Sequence, residues 1–120
     1  MNNFNKKLIE YGVPFTEVME RFVNDEELYC SCFQSFLEDS SFVALSTAIQ
    51  LKDYNMAFEY AHTLKGVAGN LGLTPLYHII CNIVEQLRNN NYTNLEQNYK
   101  CLLQEHEKLQ HFLDDYPDND

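Results

Sequence analysis

The segment from Ala57 to Leu71 leaves this chain little choice of fold. Ala57, Ala61, Leu64, Ala68 and Leu71 recur three and four residues apart. At about 100° per residue they gather within roughly 40° of one direction, a narrow apolar stripe that a helix buries against its neighbours. The same segment holds Gly66 and Gly69. Each glycine inside a helix costs about 1 kcal/mol relative to alanine. Gly72 fits a left-handed cap that ends the helix. The central helix is therefore unmistakable, and its two interior glycines need a reason.

The pattern continues on both sides. Phe4–Tyr11 reads as a short helix ending at Gly12. Pro14 then suits a first helical turn, with Phe15, Val18, Met19 and Phe22 at helical spacing. Asn24 or Asp25 fits the cap of a helix whose face is traced by Leu28, Cys32, Phe36 and Leu37. Asp39-Ser40-Ser41 interrupts it before Val43, Leu45, Ala48, Ile49 and Leu51 resume the pattern. Asp53 is placed to cap the glycine-bearing helix from about Asn55 to Leu71. Thr74-Pro75 reads as an N-cap and first-turn proline for a helix through Arg88, with Leu76, Ile79, Ile80, Ile83, Val84 and Leu87 inward. After Asn89-Asn90-Asn91, a last helix from about Thr93 to Leu113 turns Leu95, Tyr99, Leu102, Leu103, Leu109 and Phe112 inward. No run alternates as a strand would. With only four Gly and three Pro among 120 residues, the expected fold is all-α. It is an antiparallel four-helix bundle over about 25–113, with short additional N-terminal helices over about 4–22 and a frayed acidic tail at 114–120. One domain, 1–120, fills this length, and Met1 with a full bundle favours a free-standing protein over a module of a larger kinase.

Charge narrows the function. Eighteen acidic residues stand against eight basic ones, a net charge of −10, and the basic residues are scattered. Nucleic acid and anionic membrane surfaces call for concentrated positive charge, so neither is an expected partner. The apolar run Leu76–Val84 is interrupted by His78 and Asn82 and is too short to cross a bilayer. The N-terminus lacks a secretory core segment, and a cytoplasmic location is expected. Cys30, Cys32, Cys81 and Cys101 form no C-x-x-C pair, which fits buried free thiols in a reducing compartment. A metal site built from Cys30, Cys32, Cys81, His78 or His106 would have to recruit ligands from separate helices.

The same wheel sets His62 about 140° from the buried stripe, Gly66 about 180°, Gly69 about 120° and Lys65 about 80°. His62 thus points outward, with Lys65 within reach at i+3 and glycines along the same face. Each feature alone has an ordinary explanation: a surface histidine is solvated, and a glycine admits a neighbouring helix. Together they point to side chains stripped from the surface so that another molecule reaches the imidazole. Asn55 and Glu59 lie on the His62 side, Phe58 either borders the site or caps the core, and Asn70 lies farther round.

HTLKGVAGNLG resembles the H-x-x-K-G-x-A-x-x-x-G signature of histidine-containing phosphotransfer (HPt) domains of multistep phosphorelays, through His62, Lys65, Gly66, Ala68 and Gly72. The resemblance runs from roughly Gly12 to Phe112. It implies that His62 accepts a phosphoryl group from an aspartyl phosphate on a response-regulator receiver domain and passes it to another. Lys65 neutralises the added charge. Receiver domains and a sensor (hybrid) histidine kinase are the implied partners. No cofactor of its own is implied, since Mg²⁺ would be supplied by the partner receiver's acidic pocket. Gly66 and Gly69 give access, and Asn55, Phe58, Glu59, Phe15 and Met19 are candidates for the docking surface. The chain has no glycine-rich nucleotide loop and no room for an ATP-binding domain, so it is a phosphocarrier and not an autonomous kinase. A non-catalytic helical adaptor, with His62 incidental, is the rival from another class.

Overall fold

The computed structural model describes residues 2–116, and among them all regular structure is helical. Seven α-helices follow in order: α1 Asn3–Tyr11, α2 Phe15–Arg21, α3 Glu26–Leu37, α4 Ser41–Gln50, α5 Tyr54–Leu71, α6 Thr74–Arg88 and α7 Leu95–Phe112, with a 3₁₀ turn at Leu113–Asp115. No helix is long and apolar enough to cross a membrane among the described residues.

Local chemistry explains most helix ends. Asp25 accepts a hydrogen bond from the Leu28 amide at 3.0 Å, and Asp53 accepts one from the Met56 amide at 3.3 Å. Each thereby satisfies one of the donors a helix N-terminus leaves unpaired. Gly12 (φ 116°) and Gly72 (φ 72°) end α1 and α5 in the left-handed region. Between α3 and α4, Asp39 accepts from the Ser41 amide at 2.7 Å, and this side-chain turn restarts the helix after a break. Two expected caps move. Pro14 is the N-cap of α2 rather than its first helical residue, and Leu73 is the N-cap of α6. Thr74 already belongs to α6, and its hydroxyl donates to the carbonyls of Gly12 and Gly72.

The bundle has four columns. The first is α3 followed by α4, which runs antiparallel to α5: Tyr29 near its start donates to the Leu71 carbonyl at 2.7 Å. α6 returns beside α5, and α7 packs back along α3 and α4, where Tyr99 donates to the Phe42 carbonyl and His106 meets the Leu37 carbonyl. Ala57, Ala61, Leu64 and Ala68 are fully buried, as the periodicity requires. α1 and α2 cover the end of the bundle where α5 turns into α6. Phe4 meets Phe33 edge-on, Phe22 meets Tyr29, and Thr74 ties α6 to Gly12.

Several inward assignments are corrected. Leu28, Val43, Leu51 and Leu103 are exposed, and Cys32 and Ile79 are half-buried. The buried arc of α3 is Tyr29, Cys30, Phe33, Phe36 and Leu37. Aromatic partners on α1 and α2 rotate that helix about its axis, and its own periodicity carries no record of them. The acidic tail is also more ordered than expected through Tyr116. Lys7 pairs with Asp115, and Tyr116 packs on Phe4. The remainder of the tail lies outside the described residues.

Candidate functional site

α5 divides its residues cleanly between two environments. The alanine and leucine stripe is buried, while His62, Thr63, Gly66 and Val67 are exposed and Lys65 and Gly69 are half-buried. The His62 ring leans on Phe58, one turn earlier, with centroids 5.8 Å apart and planes 30° apart. That lean follows from the backward tilt of helical side chains towards the helix N-terminus. Phe58 is itself half-buried against the core and lies under the Arg88 guanidinium, 5.6 Å from the ring centroid. Neither nitrogen of His62 takes a hydrogen bond from a described residue. The imidazole is therefore held by ring contact alone, with its nitrogens open to an incoming group.

A groove of about 400 Å³ runs from His62 towards the end of α5, lined by Arg21, His62, Lys65, Gly66, Gly69, Asn70 and Tyr77. The structure thus brings together His62, Lys65, Gly66 and Gly69. The two glycines serve different ends. A Cβ placed on Gly66 would meet nothing within 4 Å, so this position leaves open surface. A Cβ on Gly69 would come within 3.0 Å of the Tyr77 ring. Gly69 therefore admits a side chain of α6, and the expectation that both glycines serve only access is corrected.

Other expected site residues fall elsewhere. Met19 is buried, 5% exposed, and belongs to the core; Phe15 is half-buried against the same core. The physical reason is that α2 is a seven-residue helix laid over the α5–α6 turn, and its apolar residues are consumed in holding it there. Asn55 and Glu59 are exposed on α5 but do not line the groove. Among the described residues no group of three or more His, Cys, Asp or Glu is placed to hold a metal ion. Cys30 is buried, and desolvation pushes its thiol up to about 11. His106 is occupied by the Leu37 carbonyl and the Phe42 ring.

Arg21, Asn70 and Tyr77 were not identified as site residues from sequence. Tyr77 was accessible in principle: a tight turn centred on Leu73 brings together residues equally far before and after it, which pairs Gly69 with Tyr77. The neighbouring Cys81 side chain pushes the Tyr77 phenol above its ordinary range. Arg21 left no such trace. It reaches the groove from α2, 48 positions before Gly69, and donates to the Gly69 and Asn70 carbonyls at 3.2 and 2.9 Å. With it, every one of the last four carbonyls of α5 has a donor. Leu73 serves Ala68, Gly72 and Arg21 serve Gly69, Arg21 serves Asn70, and Tyr29 serves Leu71.

Comparison with protein families gives a match to the model described as Hpt domain over residues 32–114, more than half of the chain. No curated protein and no solved structure matches it.

Proposed function

The chain belongs to the Hpt domain family, whose members carry out histidine phosphotransfer in phosphorelays, and from that premise we propose that His62 is the residue that carries the phosphoryl group. The observation that supports this most is the ring's setting: an exposed imidazole without hydrogen-bond partners among the described residues, beside the open surface at Gly66. A lone pair on the neutral imidazole attacks the phosphorus of an aspartyl phosphate on a receiver domain. The P–N bond forms as the P–O bond to the aspartate breaks, and the carboxylate leaves with its electron pair. Attack by an aspartate of a second receiver reverses these bond changes and restores the imidazole.

Such a transfer rests on alignment and on neutralising charge. Lys65, at i+3 in the same groove, supplies a cation to the phosphoryl oxygens. Phe58 fixes the ring from one side and leaves the other to the partner. Receiver domains and the histidine kinase that feeds them are the partners in this scheme, acting in the cytoplasm. Mg²⁺ arrives with the receiver, whose carboxylates suit a hard cation.

The test is transfer of label from receiver domains phosphorylated with radiolabelled acetyl phosphate, comparing wild type with His62→Gln. The expected product is an acid-labile, base-stable label on wild type alone. Label on His62→Gln would reassign the site, and an unlabelled wild type across the receiver panel would favour a non-catalytic adaptor.

A further inference from the structure

The groove beside His62 is basic within an acidic chain. Among the described residues its lining contains two cations, Arg21 and Lys65, and no carboxylate, in a chain with 18 acidic and eight basic residues. Lys65 is placed for the phosphoryl group. Arg21 is placed for something else. Its head is fixed on the carbonyls of Gly69 and Asn70, where the negative end of the α5 dipole also favours a cation. Those residues lie about 10–12 Å along the helix axis from His62, at 1.5 Å per residue. The imidazole leans the opposite way, onto Phe58. The guanidinium is thus set back from the imidazole, at the far end of a groove that a docked protein body would cover.

We infer that Arg21 is a partner-recognition residue, pairing with a carboxylate on the receiver domain that docks over His62. This deepens the phosphotransfer reading and rests on it. The chemistry of the partner supports the pairing. A site that phosphorylates an aspartate with Mg²⁺ gathers carboxylates around the metal, so the rim it presents is acidic, and a cation at the edge of the groove complements it. Only one guanidinium nitrogen is used on α5. The other donors have no partner among the described residues, and a guanidinium presents five in a fixed fork suited to a carboxylate. Arg21 also lies outside residues 32–114, the part matched by the family model. The contact is therefore carried by the N-terminal helices, outside the matched phosphotransfer core, and it acts on the choice of receiver rather than on bond making.

The experiment measures single-turnover transfer from the labelled receiver that reacts fastest, across receiver concentrations, for wild type, Arg21→Gln, Arg21→Lys and His62→Gln. Gln keeps a donor for the α5 carbonyls but loses the charge; Lys keeps both. Arg21→Gln is expected to raise the half-saturating receiver concentration about fivefold to twentyfold while the saturating rate holds. Arg21→Lys, which keeps the charge without the fork, should recover part of that loss. The gap between wild type and Arg21→Gln should close near about 0.5 M salt, where the charge pair is screened. Equal losses in the Gln and Lys variants, an Arg21→Gln variant that matches wild type, or a loss confined to the saturating rate would each overturn the inference. Should Arg21→Gln fail to fold, the wild type decides: its half-saturating concentration must rise with salt, and a flat profile overturns the proposal. An unlabelled wild type, or a labelled His62→Gln, removes the phosphotransfer reading and the inference with it.

Discussion

The outer face of α5 has two ends built on opposite terms. At the His62 end the surface is open: among the described residues the imidazole's ring contact is with Phe58, and Gly66 faces open space. At the Gly72 end the helix terminus is covered by neighbouring elements. Tyr77 lies against Gly69, Val18 presses on Gly72, and Arg21 and Tyr29 take the last carbonyls. Glycine occurs in both, so the residue type alone does not distinguish them. What differs is what each glycine faces: open surface at one end, the protein's own α2 and α6 at the other. The closed end fixes the direction of α5 and thereby lets the open end give up local stability.

The largest effect expected from breaking this contrast is at Gly72. An alanine there meets the left-handed φ of 72° and a Val18 methyl only 2.5 Å away. Backbone strain and overpacking together predict a loss of about 2–4 kcal/mol, measured by urea unfolding. Next comes Gly66→Leu, which fills the open surface without touching the core. Transfer to His62 should fall about tenfold to a hundredfold, by analogy with misplaced reacting groups, while the melting temperature stays within a few degrees. Unchanged transfer would mean that Gly66 does not control access.

Tyr29→Phe probes the closed end more gently. It strips the buried Leu71 carbonyl of its donor, at a cost of about 1–3 kcal/mol. Burial also raises the Tyr29 phenol well above its ordinary range. The sign follows: the folded state keeps a proton that the unfolded chain releases near about pH 10. Stability contributed by the protonated phenol is intact below that pH and declines as pH rises above it. Unfolding measured between about pH 9 and 11 should show a shallower decline in Tyr29→Phe than in wild type.

The smallest effect sharpens the comparison most. Gly66→Ala should gain about 0.5–1 kcal/mol from helix propensity with no steric penalty. Gly69→Ala earns the same propensity but must displace the Tyr77 ring from 3.0 Å, so it should be the less stable variant by about 1 kcal/mol. Equal stabilities in thermal melts would show that Tyr77 yields without cost and that the two ends differ less than their geometry implies.

Much of this was legible along the chain. The helix caps at Asp25, Asp53, Gly12 and Gly72 are local chemistry, settled by side chains within three residues or by a backbone angle that glycine tolerates. The outward aspect of His62 and the burial of Ala61 and Leu64 follow from the 3.6-residue period alone. The break at Asp39 was likewise visible as a turn-forming cluster. Less legible were the residues whose environment another helix supplies. Met19 looked as suited to a docking surface as to a core, because an apolar side chain on a short helix serves either. Leu28 and Tyr29 are both apolar neighbours on α3, and only the aromatic rings of α1 and α2 decide which of them turns inward.

By itself, then, the amino-acid sequence determined where the helices lie, which stripe of α5 is buried and that His62 faces outward, because those depend on spacings within one helix. The tertiary structure alone decided that Gly66 opens a surface while Gly69 seats Tyr77, that Met19 belongs to the core, and that Arg21 stands in the groove of His62. Each of these depends on a contact between elements distant in the chain, and periodicity within a helix does not specify what packs against it.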